Sequence, residues 1–248
     1  MSTTSGVALY ESMNAWVSRD PEEIARQYLE FVDYAWASSS ARPKGYFSAA
    51  EMDAMVIRGG LIGETGELAE EIKKGIRSCG AKWRAMEILL ELGDVLFYAA
   101  RAALNYGRGK AAAALAKEIQ VLTAADGTLK SGDYIRTVRD LEQRLLWTPE
   151  TSKTQAARTL YVSLLLHAEE IALAAADLSR ALRNPETLTS HDVLRTFYKA
   201  GRFCQALDVD FRDVFVLNAS KVIERKAKVD GVAPEEALLA MMRTIDRP

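Results

Sequence analysis

The chain has 248 residues, 49% of them hydrophobic and 27% charged, with a formal net charge of −2. This composition is typical of a folded protein of one or two domains, and it excludes disorder over most of the chain. The balance of 32 basic and 34 acidic residues argues against a nucleic-acid partner, no apolar run is long enough for a membrane span, and two cysteines cannot form a disulfide framework.

The predicted elements are helices throughout. Residues 1–20 contain neither a predicted helix nor the basic and apolar segments of a secretory signal, so we expect an N-terminal extension and a cytoplasmic protein. Beyond them strong helix formers dominate and alternating β-branched runs are almost absent, which predicts an all-α chain. The predicted helices cover residues 21–38, 48–76, 82–106, 110–122, 133–146, 153–183, 189–207, 211–229 and 234–245.

The predicted helix 48–76 carries acids beside its apolar stripe. On a helical wheel Glu64 and Glu67 lie within about 60° of each other at the border of that stripe. Carboxylates in such a position lose part of their hydration, which is costly unless a cation compensates. Gly63 and Gly66 interrupt the same helix at a cost of about 1 kcal/mol each, and space for a neighbouring helix or a ligand would explain them.

The next predicted helix, 82–106, repeats the pattern with Glu91 and Asp94. If the two helices pair in antiparallel fashion, all four carboxylates can face one another. Such a group suits a hard divalent cation, which prefers oxygen ligands, and Mg²⁺ in particular binds few carboxylates together with substrate phosphates. The spacing therefore indicates metal-assisted phosphate chemistry, with a solvated acidic face as the alternative.

A basic counterpart lies in the predicted helix 211–229. Asn218, Lys221 and Arg225 lie on one face of this helix, and two cations with an amide donor suit phosphate groups. The alternative is a solvated basic face.

Together these segments resemble the MazG-like family, the all-α nucleoside triphosphate pyrophosphohydrolases. Glu64-x-x-Glu67 followed by Glu91-x-x-Asp94 is similar to the family's E-x-x-E…E-x-x-D metal signature. Further similarities are the opening helix at residues 27–32, the second helix at residues 63–68 with Lys73 and Lys74 close behind, and the last-helix phosphate motif Asn218-x-x-Lys221-x-x-x-Arg225.

The resemblance implies an antiparallel helix bundle that converts a nucleoside triphosphate to the monophosphate and pyrophosphate. It implies that Mg²⁺ or Mn²⁺ is bound by Glu64, Glu67, Glu91 and Asp94. It also implies that phosphate groups are held by Lys221 and Arg225, with Asn218 and Lys73 assisting. Family members commonly assemble as dimers or tetramers, so we expect a homo-oligomer, with neither a nucleic acid nor a membrane as partner.

The two histidines do not supply a base. His167 lies in an apolar helix and His191 at a helix start, where core and capping roles explain them better. We therefore expect a metal and a carboxylate to activate the attacking water, with Glu67 as the first candidate and Glu64 as the second.

The resemblance covers residues 21–106 and 196–229, the expected catalytic core, followed by a C-terminal helix in 230–248. Residues 107–195 form a large helical insertion, either a decayed second copy of the core or a plain subdomain; segments 164–174 and 192–198 echo the core. A purine deoxynucleotide such as dGTP is the preferred substrate by analogy. The alternatives are a pyrimidine enzyme acting on dUTP or dCTP, and a non-catalytic helical protein that binds a nucleotide or a metal.

Overall fold

A computed structural model describes residues 3–38, 47–78, 84–106, 110–124, 155–184, 186, 188–207 and 209–246. Within these ranges the chain is helical and has no strand, which confirms the all-α prediction. The helices are α1 (Thr3–Trp16), α2 (Pro21–Ser38), α3 (Ala49–Arg77), α4 (Ala85–Tyr106), α5 (Lys110–Ala124), α6 (Gln155–Ala181), α7 (Ser190–Leu207), α8 (Phe211–Asp230) and α9 (Pro234–Ile245). None of them is both long and apolar enough to cross a membrane. The predicted helix 133–146 lies outside the described residues.

Helix α1 differs from the sequence expectation, which assigned no helix to residues 1–20. It packs on α8 and α9 and buries Leu9 and Met13 completely. Its C-terminal end is held by the buried side chain of Arg212. The guanidinium donates to the carbonyl oxygens of Asn14 (2.6 Å), Val17 (2.7 Å) and Ser18 (2.8 Å), groups that a helix end leaves without internal partners. Tertiary contacts therefore stabilise a helix whose own sequence signals are weak.

Helices α3 and α4 form an antiparallel pair. Helix α3 begins with a capping box in which the Glu51 amide donates to Ser48 Oγ at 3.2 Å and the Ser48 amide donates to Glu51 Oε2 at 2.8 Å. Near this start of α3, the hydroxyl of Tyr106, the last residue of α4, donates to the Ala50 carbonyl at 2.7 Å. The predicted helical hairpin is thus present in the structure.

Four long helices, α3, α4, α6 and α7, pack around one another as a bundle. Helix α3 contacts α4 and α6, and α7 contacts the same two helices from the other side. The segments that echo the core in sequence lie in α6 and α7. The domain limits, and the choice between a decayed copy and a plain insertion, stay predictions.

Helix α8 packs across α4 and carries α1 and α9 on its other sides. An aromatic cluster ties it to the core. The ring of Tyr28 on α2 makes edge-on contacts with Phe211 and Phe215 on α8 at centroid distances of 5.4 and 5.0 Å, and with Phe197 on α7 at 6.3 Å. Contacts with α4, α2 and α1 therefore fix the position of α8 in the fold.

Candidate active site

Three carboxylates converge where α3 faces α4. Oxygen atoms of Glu64, Glu67 and Glu91 lie within 4.8 Å of one another. The three differ in burial, because Glu91 is buried, Glu64 is partly buried and Glu67 is exposed. The cluster therefore reaches from the helix interface out to solvent.

Asp94 lies beside this cluster, and both of its oxygens are engaged by α8. The Asn218 amide donates to Oδ1 and the Lys221 ammonium donates to Oδ2, each at 2.5 Å. The Lys221 Nζ also lies 3.7 Å from Glu91 Oε1. One lysine from α8 thus bridges two acids of α4.

The electrostatics of the cluster reflect crowding of negative charge. The pKa of Glu64 rises to about 7; burial is the largest cause, and the negative charges of the other three acids add to it. Burial also raises the pKa of Glu91, against the opposing effect of Lys221. Among the described residues, Lys221 is paired with Glu91 and Asp94 but not with Glu64 or Glu67, and a divalent cation or a proton would relieve the remaining repulsion.

The residues present fit a hard divalent cation. All the donors are carboxylate oxygens, which is the set that Mg²⁺ and Mn²⁺ prefer. Glu91 Oε2 is buried and has no hydrogen-bond partner in the described part of the chain. A buried carboxylate oxygen without a partner is costly, and a bound cation would satisfy it.

Two glycines are required by close neighbours. A Cβ atom on Gly93 of α4 would lie 2.7 Å from the Cβ of Asn218, so α8 can approach α4 only because residue 93 has no side chain. A Cβ atom on Gly60 of α3 would collide with the ring of Tyr98. Among the described residues, nothing lies within 4 Å of such an atom on Gly63 or Gly66. The space expected beside those two glycines is open rather than filled by a neighbouring helix.

Tyr98 borders the site, although the sequence analysis gave it no role. Burial raises the pKa of its hydroxyl, the charges of Glu64 and Asp94 add to the rise, and Arg225 opposes it. Its ring also meets that of Trp36 edge-on at 6.4 Å. The available signal was spacing, because Tyr98 follows Asp94 by four residues and so lies on the same helix face.

The structure does not bring every predicted site residue to the cluster. Arg225 is exposed and near enough to Tyr98 to affect its pKa. Lys73 is exposed and forms an ion pair with Glu70 on the same helix. Because it follows Glu64 by nine residues, Lys73 lies about half a turn away from that acid around α3.

Comparison with known families agrees with this geometry. Residues 55–118 match the family model described as the MazG nucleotide pyrophosphohydrolase domain. The matched segment contains all four acids and ends before α8. Comparisons with curated proteins and with solved structures gave no match.

Proposed function

We propose that the chain is a hydrolase of phosphoric anhydrides in nucleotides, which converts a nucleoside triphosphate, ribo or deoxy, to the monophosphate and pyrophosphate with Mg²⁺ or Mn²⁺. The match of residues 55–118 to the MazG nucleotide pyrophosphohydrolase domain supports this class of reaction. The observation that carries this proposal is the convergence of Glu64, Glu67 and Glu91 around a buried oxygen atom without a partner. Such a site suits phosphate chemistry better than storage of a metal.

Glu64, Glu67 and Glu91 would hold the metal, with Asp94 as the fourth acid. When bound, the cation supplies charge neutralisation at the phosphates and lowers the pKa of water. Glu67 is the most exposed of the three clustered acids, so water can reach it from solvent. It is our first candidate for accepting the proton of the attacking water, and Glu64 is the second.

The three predicted phosphate-binding residues of α8 divide into two kinds. Arg225 is exposed and Lys221 is mostly buried at the edge of the cluster, and both can offer positive charge to the leaving pyrophosphate. Asn218 has no exposed surface and donates to Asp94. This placement favours a role for Asn218 in orienting Asp94 over the predicted contact with phosphate.

The base and the sugar rest on analogy alone. A purine deoxynucleotide such as dGTP is the preferred substrate, and dUTP or dCTP is the alternative. A cytoplasmic location and a homo-oligomer stay predictions, the latter testable by light scattering.

Product analysis tests the proposal. The full chain is incubated with each nucleoside triphosphate and Mg²⁺ or Mn²⁺, and the nucleotide and phosphate products are separated. We expect a monophosphate and pyrophosphate from the wild type, no turnover by Glu67→Gln, and full turnover by the control Glu70→Gln, which changes an exposed acid on the same helix. A diphosphate with orthophosphate would contradict attack at the α-phosphate, and metal binding without turnover would indicate the non-catalytic alternative.

A further inference from the structure

Two buried polar atoms next to the site have no partner in the described part of the chain. They are the hydroxyl oxygen of Tyr28 and the amide oxygen Oδ1 of Asn218. Tyr28 is 2% exposed and Asn218 is 0% exposed, so bulk water reaches neither. A buried polar group without a hydrogen-bond partner destabilises the folded state, and phenylalanine at position 28 would avoid that cost. The hydroxyl therefore calls for an explanation.

The packing of α2 on α8 places Tyr28 against the face of α8 that carries Asn218. The Tyr28 ring lies against Phe211 and Phe215, and Asn218 continues this face of α8 one turn further on. The charge of Asp94, the acid to which Asn218 donates, acts on the Tyr28 hydroxyl and adds to the rise in its pKa that burial causes.

The two atoms are chemically complementary. The tyrosine hydroxyl is a donor and the amide oxygen is an acceptor. The orientation of the amide matters, because a flipped Asn218 would turn its oxygen toward the carboxylate of Asp94. A donor held near Oδ1 would prevent that flip and keep Nδ2 on Asp94.

We infer that Tyr28 is a positioning residue for Asp94, and that its hydroxyl donates through one buried water molecule to Asn218 Oδ1. A water is the natural link, because buried waters typically make about three hydrogen bonds to polar groups that otherwise lack partners. The chain of contacts then runs from α2 through α8 to the acid of α4. Gly93 permits it by letting Asn218 approach α4 closely. This inference rests on the proposed metal site, which Asp94 completes.

Calorimetric titration of the metal-free full chain with Mn²⁺ tests the inference. Residues that orient metal ligands through hydrogen bonds typically change metal affinity 10–100-fold when mutated. We expect Tyr28→Phe to weaken Mn²⁺ binding about tenfold. Asn218→Ala should weaken it at least as much, and adding Tyr28→Phe to Asn218→Ala should weaken it no further. The matched control is Tyr10→Phe, which removes the hydroxyl of a buried tyrosine on α1.

The outcomes separate the inference from the proposed function. A loss of affinity in Tyr28→Phe but not in Tyr10→Phe supports the positioning role. Affinity within twofold of wild type in Tyr28→Phe, equal losses in both tyrosine variants, or additive losses in the double variant would overturn it. If the wild type itself does not bind Mn²⁺, the proposed function fails, and the inference fails with it.

Discussion

Neutralising Glu64 should make the metal-free protein more stable above neutral pH. The pKa of Glu64 is about 7 in the folded protein against 4.5 in the unperturbed group, mainly because of burial and then because of neighbouring acids. The folded state therefore binds this proton more tightly than the unfolded state. Its stability falls as the pH rises from about 4.5 to 7, and the loss is complete above that range.

The size of the effect follows from the shift in pKa. One pKa unit corresponds to about 1.4 kcal/mol, so full ionisation of Glu64 would cost the folded protein about 3 kcal/mol. Solvent screening of a partly buried group reduces this to about 1–2 kcal/mol. Glu64→Gln keeps the volume and removes the charge, so it should stabilise the metal-free protein by that amount at pH 8 and by less than about 0.5 kcal/mol at pH 4.5.

Urea unfolding in EDTA at the two pH values measures this difference. The control is Glu70→Gln on the same helix, where the acid is exposed and paired with Lys73, and it should not stabilise the protein at either pH. A Glu64→Gln protein that is no more stable than wild type at pH 8, or one that gains equally at pH 4.5, would refute the argument from crowded carboxylates.

Two further predictions concern the contact between α4 and α8. Gly93→Ala should destabilise the protein by about 1–3 kcal/mol, because the new methyl group would collide with Asn218 of α8. Gly66→Ala should stabilise the protein by up to about 1 kcal/mol, because nothing described lies near that position. Equal shifts of the two melting temperatures would contradict this packing. Lys221→Met should lower the melting temperature in EDTA, because two acids of α4 lose their cation, and Mn²⁺ should restore part of the loss. Lys226→Met removes a lysine that is paired with Asp230 on the same helix, and it should change the melting temperature little. An equal effect of both changes would mean that Lys221 has no special role.

Much of the site follows from short-range spacing in the sequence. Helix periodicity places Glu64 and Glu67 on one face, and it places Glu91 and Asp94 on another. A turn after residue 77 is enough to make the two helices antiparallel, and the convergence of three acids follows. Local chemistry alone supports these steps, because each depends on residues within about 30 positions of one another.

The contact of α8 with α4 could not be predicted from local patterns, although the phosphate-binding face of α8 could. Asn218 follows a run of apolar residues and can be taken for a polar residue of the surface, yet it is completely buried. Its burial depends on Gly93 and on Asp94, which is 124 residues away in the chain. The same holds for α1, whose position depends on Arg212. Helical wheels describe which residues share a face, but they do not say which helix that face will meet.

The hydrogen bonds from Arg212 to the end of α1 also determine when α1 can dock during synthesis. The carbonyl of Val17 precedes its arginine partner by 195 residues. At about 5–20 residues per second, Val17 joins the growing chain about 10–40 s before Arg212 does. During that interval the apolar side chains Leu9 and Met13 have no α8 to cover them. The nascent chain is thus open to aggregation and to chaperone binding at its N-terminal helix until translation has passed α8.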